Sequence, residues 1–256
     1  MSISILVVLY NSSIDDVPVL ATALRSPYVG DVIICDNSDQ KNNNAEQAKH
    51  KGITYVAMNG NQGLSKAYNA GVKHCHGDII CIFDDDTQVG DDYFAAVSDL
   101  ASTSQQWDIA LPLVMAGNQV LSPSHFEKQR TVPIDPAHVG NMSDLTGINS
   151  GMAVKRGLYN HISYDSGLFL DLIDHQFIQD ARRLGVCIVM LKGPVLRQSY
   201  SLTTDSMHSA LKRFYIFEKD AKHFYSSSFC AKLYCRIMLL LRKLKLCMKY
   251  KTLAFI

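Results

Sequence analysis

Four short apolar runs divide the first third of the sequence: Ile3–Leu9, Val32–Cys35, Ile53–Ala57 and Ile79–Phe83. They are continuous rather than alternating, the pattern of strands buried on both faces. Helical stretches fit between them. The clearest places Leu64, Ala67, Tyr68, Gly71, Val72 and Cys75 on one face, with Gly77 where a glycine commonly follows a helix end. Parallel strands joined by helical crossovers make a doubly wound α/β sheet flanked by helices. Such sheets bind ligands beyond the carboxyl ends of their strands. Three of those ends are polar or acidic: Tyr10-Asn11, Asp36-Asn37-Ser38-Asp39 and Asp84-Asp85-Asp86.

Beyond residue 90 the spacing predicts a helix over Asp92–Ser102 and a strand over Asp108–Met115. Gly117–Asn141 holds three prolines and little periodicity, and reads as a mobile loop near the site. Gly147–Gly151 is a turn into a short strand, Met152–Val154. Asp174 opens a helix that turns Phe177, Ile178, Ala181 and Leu184 inward and closes at Gly185. The expected organisation is an α/β domain over 1–204, with a regular half 1–115 and a less regular half 116–204, followed by a basic amphipathic helical tail over 205–256.

The net charge of +1 argues against a nucleic-acid-binding fold. That small total hides an asymmetry, because Phe229–Ile256 carries seven Lys or Arg and no Asp or Glu. The seven cysteines form no CxxC pair, and several lie in apolar runs, as reduced thiols of a cytoplasmic protein do. The first residues have no basic leader, so no signal peptide is expected. In the tail, Phe229, Leu233, Ile237, Leu240, Leu241, Leu244 and Met248 recur at helical spacing with cations around them. A basic amphipathic helix of this kind lies on an anionic membrane surface, or packs on the core or on a second subunit. Its longest uncharged run, Ile237–Leu241, is far short of the about 20 residues needed to cross a bilayer.

Three adjacent carboxylates after an apolar strand repel one another by roughly 4 kcal/mol per pair at an intermediate dielectric. A hard divalent cation relieves that repulsion, and short aspartates suit Mg²⁺ or Mn²⁺, which also take phosphate oxygens. In an extended segment Asp84 and Asp86 share one side and Asp85 takes the other. A solvated acidic turn is the plainer alternative. Asp36, at its strand end, is able to accept the imide N–H of a pyrimidine base. Asn59–Gly63 is a turn into a helix, where glycines admit close backbone approach and the helix start favours an anion. Asp174, among Leu168–Ile173, is either a general base raised by apolar neighbours or an N-cap, with Asp171 taking the other role. His74 and His76 lie two apart on a helix and face different ways, so they are not a metal pair.

These elements, in this order, resemble family-2 glycosyltransferases of the GT-A fold, and within them the bacterial rhamnosyltransferase-like enzymes. The pieces are Ile5–Asn11, Val32–Ser38, Asn59–Gly71, Ile82–Thr87, Gly147–Met152, Leu168–Gly185 and Arg213-Phe214-Tyr215. The resemblance implies an inverting transfer of a sugar, rhamnose among the candidates, from a UDP- or dTDP-sugar to a hydroxyl of a lipid-linked glycan. The setting would be bacterial surface-polysaccharide synthesis, such as O-antigen or capsule, on the inner face of the cell membrane. Tyr10, Asn11, Asp36, Asn61, Gly63, Lys66, Asp84, Asp85, Asn149, Ser150 and Gly151 would bind the nucleotide sugar. Asp84, Asp86 and His208 would hold Mg²⁺ or Mn²⁺, and Asp174 would deprotonate the acceptor. A homodimer is left open.

The chain departs from the pattern at Asp180, where an Arg is usual, and at Glu218-Lys219-Asp220, where an Arg-Asn pair is usual. Those departures keep open a non-catalytic nucleotide-sugar-binding protein of the same fold. An aspartate-nucleophile phosphatase is a further rival, weakened by Gln88 at the position where its motif needs Thr or Val.

Overall fold

The computed structural model describes residues 1–127, 129–135, 144–198 and 206–256. At its centre β1 (Ile3–Leu9) runs parallel to β2 (Val29–Asp36) and β4 (Ile79–Asp84), and β3 (Thr54–Ala57) lies outside β2. Beyond β4 the sheet continues through β10 (Met152–Lys155), β5 (Ile109–Ala116) and β11 (Ile188–Arg197). Only β10 on this path is antiparallel to its neighbours, with Met152 opposite Ile82 and Ala153 opposite Ala110. The mostly parallel α/β sheet is thus as the sequence predicts.

The continuous apolar runs are explained by the two faces of the sheet. Leu6 and Val8 point to a layer with Ile33, Cys35, Tyr68 and Ile82, whereas Ile5, Val7 and Leu9 point to one with Ile34, Phe83, Tyr93 and Phe94. Alternate residues of one strand therefore serve two cores, and Ser4, the one polar residue of β1, is buried with its hydroxyl oxygen accepting the Gly77 N–H at 2.8 Å. Phe83, Tyr93 and Phe94 meet edge to face. Each such buried ring contributes about 2–3 kcal/mol.

The crossovers are α1 (Pro18–Ala23), α2 (Asn44–Lys51), α3 (Leu64–Val72) and α4 (Asp91–Ser102). Pro18 stands at the first helical position of α1, where its missing N–H costs nothing. Asp91 and Asp92 occupy the first turn of α4, where the helix dipole favours them. Later come α5 (Ile173–Arg183), α6 (Met207–Phe224) and α7 (Phe229–Tyr250). Ser206 and Ser228 cap α6 and α7 by accepting the N–H groups of Ser209 and Ala231. Phe214, Ala221, Ala231 and Leu239 of these last helices join the same core layer as Tyr164 and Phe177.

The structure corrects three expectations. The stretch after residue 117 is not one loop: β6 (Gln119–Ser122) pairs with β5, and β7 (Ser124–Glu127) pairs with β8 (Arg130–Pro133) and β9 (Leu145–Thr146) in a small second sheet. Part of that stretch, 128 and 136–141, lies outside the described residues. Helix α3 ends at Val72, and Gly77 does not follow its end. A β-carbon on Gly77 would stand 2.6 Å from the backbone nitrogen of Ser4, so close approach to β1 is what requires glycine there. Finally, β11 adds an edge strand beside β5 that the spacing did not mark.

Candidate active site

The carboxyl ends of β1, β2 and β4 bring Tyr10-Asn11, Asp36-Asn37-Ser38 and Asp84 to one edge. The loops there are tied by their own side chains. The Asn11 side-chain oxygen Oδ1 accepts the N–H groups of Asp39 and Gln40 at 3.1 and 3.2 Å, and Ser38 Oγ accepts the Asn11 N–H at 2.8 Å. Asn37 donates to Asn61 Oδ1 at 3.0 Å, and that same oxygen accepts the Gly63 N–H at 3.1 Å. Gly63 has φ +89°, and a β-carbon there would lie 2.8 Å from the Phe169 carbonyl oxygen. Both the conformation and the contact demand glycine.

Tyr10, Asn37, Asn61, Gly63, Lys212 and Arg213 line a cleft of about 420 Å³ at this edge. Asn61 and Gly63 are among the residues expected from the sequence, whereas Lys212 was not. Lys66, also expected, is exposed on α3 and lines neither this cleft nor its neighbour.

Asp36 is only 5% exposed, and its oxygens are already engaged. They accept the Ser38 N–H at 3.1 Å, Asn42 and Asn44 side-chain amides at 3.0 and 2.8 Å, and the Tyr55 hydroxyl at 3.0 Å. Burial alone would raise this carboxyl. The donors from Ser38, Asn44 and Tyr55 outweigh burial and hold it below its ordinary value. Asp36 thus organises the loop at the edge of the cleft, and the expected direct contact with a base meets a carboxylate with four internal donors.

A second cleft of about 490 Å³ adjoins the first and shares Leu64 and Leu170 with it. Asp84, Asn149, Asp171, Asp174, His175 and Gln198 line it. Asp84 is the last residue of β4, so Asp85 and Asp86 lie in a turn and do not continue the strand alternation. Asp84 Oδ2 accepts the Ser150 hydroxyl and, at 2.7 Å, the Gln198 amide. Burial pushes Asp84 up to about 6, against the lowering effect of Ser150, and the charges of Asp86 and Asp174 push the same way. Asp86 is exposed and also raised, by desolvation and then by Asp85. Asp85 accepts the Ser12 hydroxyl at 2.7 Å.

Asn149-Ser150-Gly151 reach this edge because β10 runs against β4. The Gly151 N–H donates to the Ile82 carbonyl at 2.7 Å, the Tyr93 hydroxyl donates to the Gly151 carbonyl at 2.6 Å, and the Tyr164 hydroxyl donates to Asn149 Oδ1 at 3.0 Å. Gln198 follows β11 directly. Because the sequence pattern did not mark that strand, its carboxyl-end residue was missed too.

Neither Asp171 nor Asp174 is the N-cap of α5. That position is Leu172, in a left-handed conformation at φ 63° with no side-chain cap. Asp171 forms a two-pronged ion pair with Arg213 of α6. Asp174 lies in the first turn of α5, faces the cleft and accepts the His175 N–H at 2.8 Å. His175 is held in turn by Thr146 Oγ1, 2.7 Å from its Nδ1.

His208 is exposed on the first turn of α6. Among the described residues no three His, Cys, Asp or Glu side chains converge in metal-site spacing, so His208 is not brought to the aspartates. A preformed triad is not needed for Mg²⁺ or Mn²⁺, which bind through one or two carboxylates with phosphate and water completing the set. Asp84 and Asp86, mutually repulsive and both raised, fit such an ion.

The sequence profile of glycosyl transferase family 2 matches residues 4–143, more than half of the chain and all of the edge just described up to Asp86. The chain belongs to glycosyl transferase family 2. Membership removes the phosphatase reading. Solved structures agree in fold. This family-2 chain superposes on the mannosyltransferase PcManGT from Pyrobaculum calidifontis, in complex with GDP-Man and Mn²⁺, with a TM-score of 0.62 at 14% identity, covering 91% of this chain and 68% of that one. On residues 1–349 of TarS from S. aureus in complex with UDP the TM-score is 0.56 at 15% identity, covering 92% and 68%. At these identities the likeness establishes the GT-A fold and no more. Sequence comparison with curated proteins finds no match.

The two departures from the family pattern have structural partners. Asp180 accepts the Gln176 amide at 3.0 Å and pairs with Arg183 at 2.5 Å. Glu218 pairs with Lys222 at 3.0 Å and with Lys243 of α7 at 3.3 Å.

Proposed function

We propose that this family-2 glycosyltransferase moves a sugar, with inversion, from a UDP- or dTDP-sugar to a hydroxyl of a lipid-linked glycan in bacterial surface-polysaccharide synthesis. Rhamnose is the first donor sugar to test, and the inner face of the cell membrane is the proposed setting. One observation carries the reading: Asp84, at the end of β4, and Asp174, at the start of α5, line the same cleft, next to a second cleft suited to a nucleotide.

In this reading the base and ribose lie against Tyr10, Asn37 and Asn61, with Asp36 fixing the loop that bounds them. Lys212 and the first turn of α3 after Gly63 supply positive potential for the phosphates. Asp84 and Asp86 would hold Mg²⁺ or Mn²⁺, which when bound neutralises charge on the departing diphosphate. Ser150 and Gln198 orient Asp84 by donating to it. Asn149, Ser150 and Gly151 border the sugar. Asp174 takes the proton of the attacking acceptor hydroxyl.

The test is a transfer assay over a panel of UDP-, dTDP- and GDP-sugars, preceded by a thermal-shift screen of the nucleotides with and without Mn²⁺. GDP is included because one structural neighbour holds GDP-Man. A metal-dependent shift with one nucleotide, followed by turnover of its sugar, supports the reading. Metal-independent or absent nucleotide binding would leave the non-catalytic alternative standing.

A further inference from the structure

Helix α7 is attached to the body through one side only. Ala231, Cys235 and Leu239 are buried against the core. On the opposite side, at 3.6 residues per turn, lie Phe229, Leu233, Ile237, Leu240, Leu241, Leu244 and Met248. Every one of these is exposed: Phe229 78%, Leu241 61% and Met248 73% among them. The helix is roughly 33 Å long at 1.5 Å per residue, so the stripe is long as well as apolar. At its end Leu253 and Ile256, also exposed, extend the apolar surface and rim a groove with Leu244 and Met248. Scattered exposed apolar residues need no explanation, but a contiguous patch of this extent marks an interaction surface.

The charge pattern selects the partner. Lys232 and Arg236 flank the stripe on one side and Lys245 and Lys249 on the other, all exposed. Among the described residues none of these four enters an ion pair, in contrast to Lys243, which binds Glu218. No Asp or Glu occurs from Phe229 to Ile256. A second copy docked symmetrically on this face would set cations against the same cations, since a two-fold interface places the same patch on both sides. A surface that is apolar inside and anionic at its rim satisfies both features at once. No described helix is long and apolar enough to cross a membrane, so the contact is one of lying on the surface.

We propose that the exposed face of α7 docks on an anionic lipid bilayer, its apolar stripe entering the headgroup boundary and its flanking cations meeting lipid phosphates. The argument for this surface is independent of which sugar or acceptor the enzyme uses.

Co-sedimentation of the full chain with vesicles tests it. Vesicles of phosphatidylcholine mixed with phosphatidylglycerol should bind the protein, and phosphatidylcholine alone should bind it much more weakly. Ile237→Asp with Leu241→Asp, and separately Lys245→Glu with Lys249→Glu, should each lower the partition coefficient by roughly tenfold or more. Both pairs are exposed, so thermal melts should match wild type and exclude misfolding. Failure to bind the mixed vesicles, or equal binding to both kinds, overturns the proposal. So does a concentration-dependent dimer in analytical ultracentrifugation that the Ile237→Asp, Leu241→Asp variant dissolves, since the stripe would then belong to a second copy.

Discussion

Asp220 Oδ2, fully buried on α6, accepts the backbone N–H of Leu170 at 2.8 Å, one of three such bonds that clamp the loop leading to Asp174. The other two come from Phe169 at 2.9 Å and Asp171 at 2.8 Å. From the other side, the Leu64 N–H of α3 donates to the Phe169 carbonyl at 2.7 Å. The loop is therefore fixed between a helix start and a buried carboxylate, and it forms part of both clefts.

Replacing that carboxylate strands backbone donors. Asp220→Ala should lower stability by about 3 kcal/mol, the scale expected for several buried N–H groups left unpaired. Asp220→Asn, which keeps one acceptor, should fall between it and wild type. Urea unfolding measures the stability. Transfer kinetics of Asp220→Asn should show a lower kcat with a smaller effect on donor KM, because the loop ends at the proposed base.

Asp174→Ala and Asp86→Ala should each reduce transfer by about 10²–10⁴-fold while the melting temperature stays close to wild type. Both side chains lie at the cleft or on the exposed turn and make few internal contacts. Wild-type-like turnover by either variant removes that residue from the proposed mechanism.

Gly63→Ala should cost about 1–3 kcal/mol, since φ +89° is strained for any residue with a β-carbon and Phe169 stands in its way. Nucleotide affinity in calorimetry should fall with it, because the change shifts the start of α3 at the cleft.

Asp36 supplies a pH prediction. Its carboxyl is held below the ordinary 3.8 because the donors around it outweigh burial. The stabilisation is present above 3.8 and disappears as pH falls through the lower folded value. Asp36→Asn should therefore be less stable near neutrality and show a flatter loss of stability in acid than wild type. Melting curves across pH 2–7 would reveal it, and parallel curves for the two proteins would mean Asp36 contributes no such linkage.

The first half of the chain was legible because both faces of its strands are buried, so the runs from Ile3, Val32 and Ile79 carry a strong signal. The second half is less so. β11 is interrupted by Lys192-Gly193-Pro194, with a register shift between Leu191 and Val195, and an edge strand of mixed polarity has no clear period. Losing β11 meant losing Gln198. The strands over 119–133 are only four residues long and mostly half-buried or exposed, and Pro123 between β6 and β7 and Pro133 at the end of β8 disguise them as loop. Lys212 and Asp220 act through tertiary contact alone: nothing local in α6 distinguishes a lysine at a cleft from one in solvent, or a buried clamp from a surface acid. For α7 the spacing revealed an apolar stripe, but only the packing of Ala231, Cys235 and Leu239 shows that the stripe is the face left outside.

The reversed strand β10 divides responsibility along the chain. A parallel strand in its place would carry its start to the far edge of the sheet. Running backwards, it sets Asn149–Gly151 beside Asp84, sixty-odd residues away in sequence. In the proposed reading, the groups around the sugar thus come from a stretch of chain separate from the one that would shape the nucleotide cleft at β1 and β2. On that reading, substitution near 147–151 would change which sugar is accepted while the nucleotide grip stays as it was.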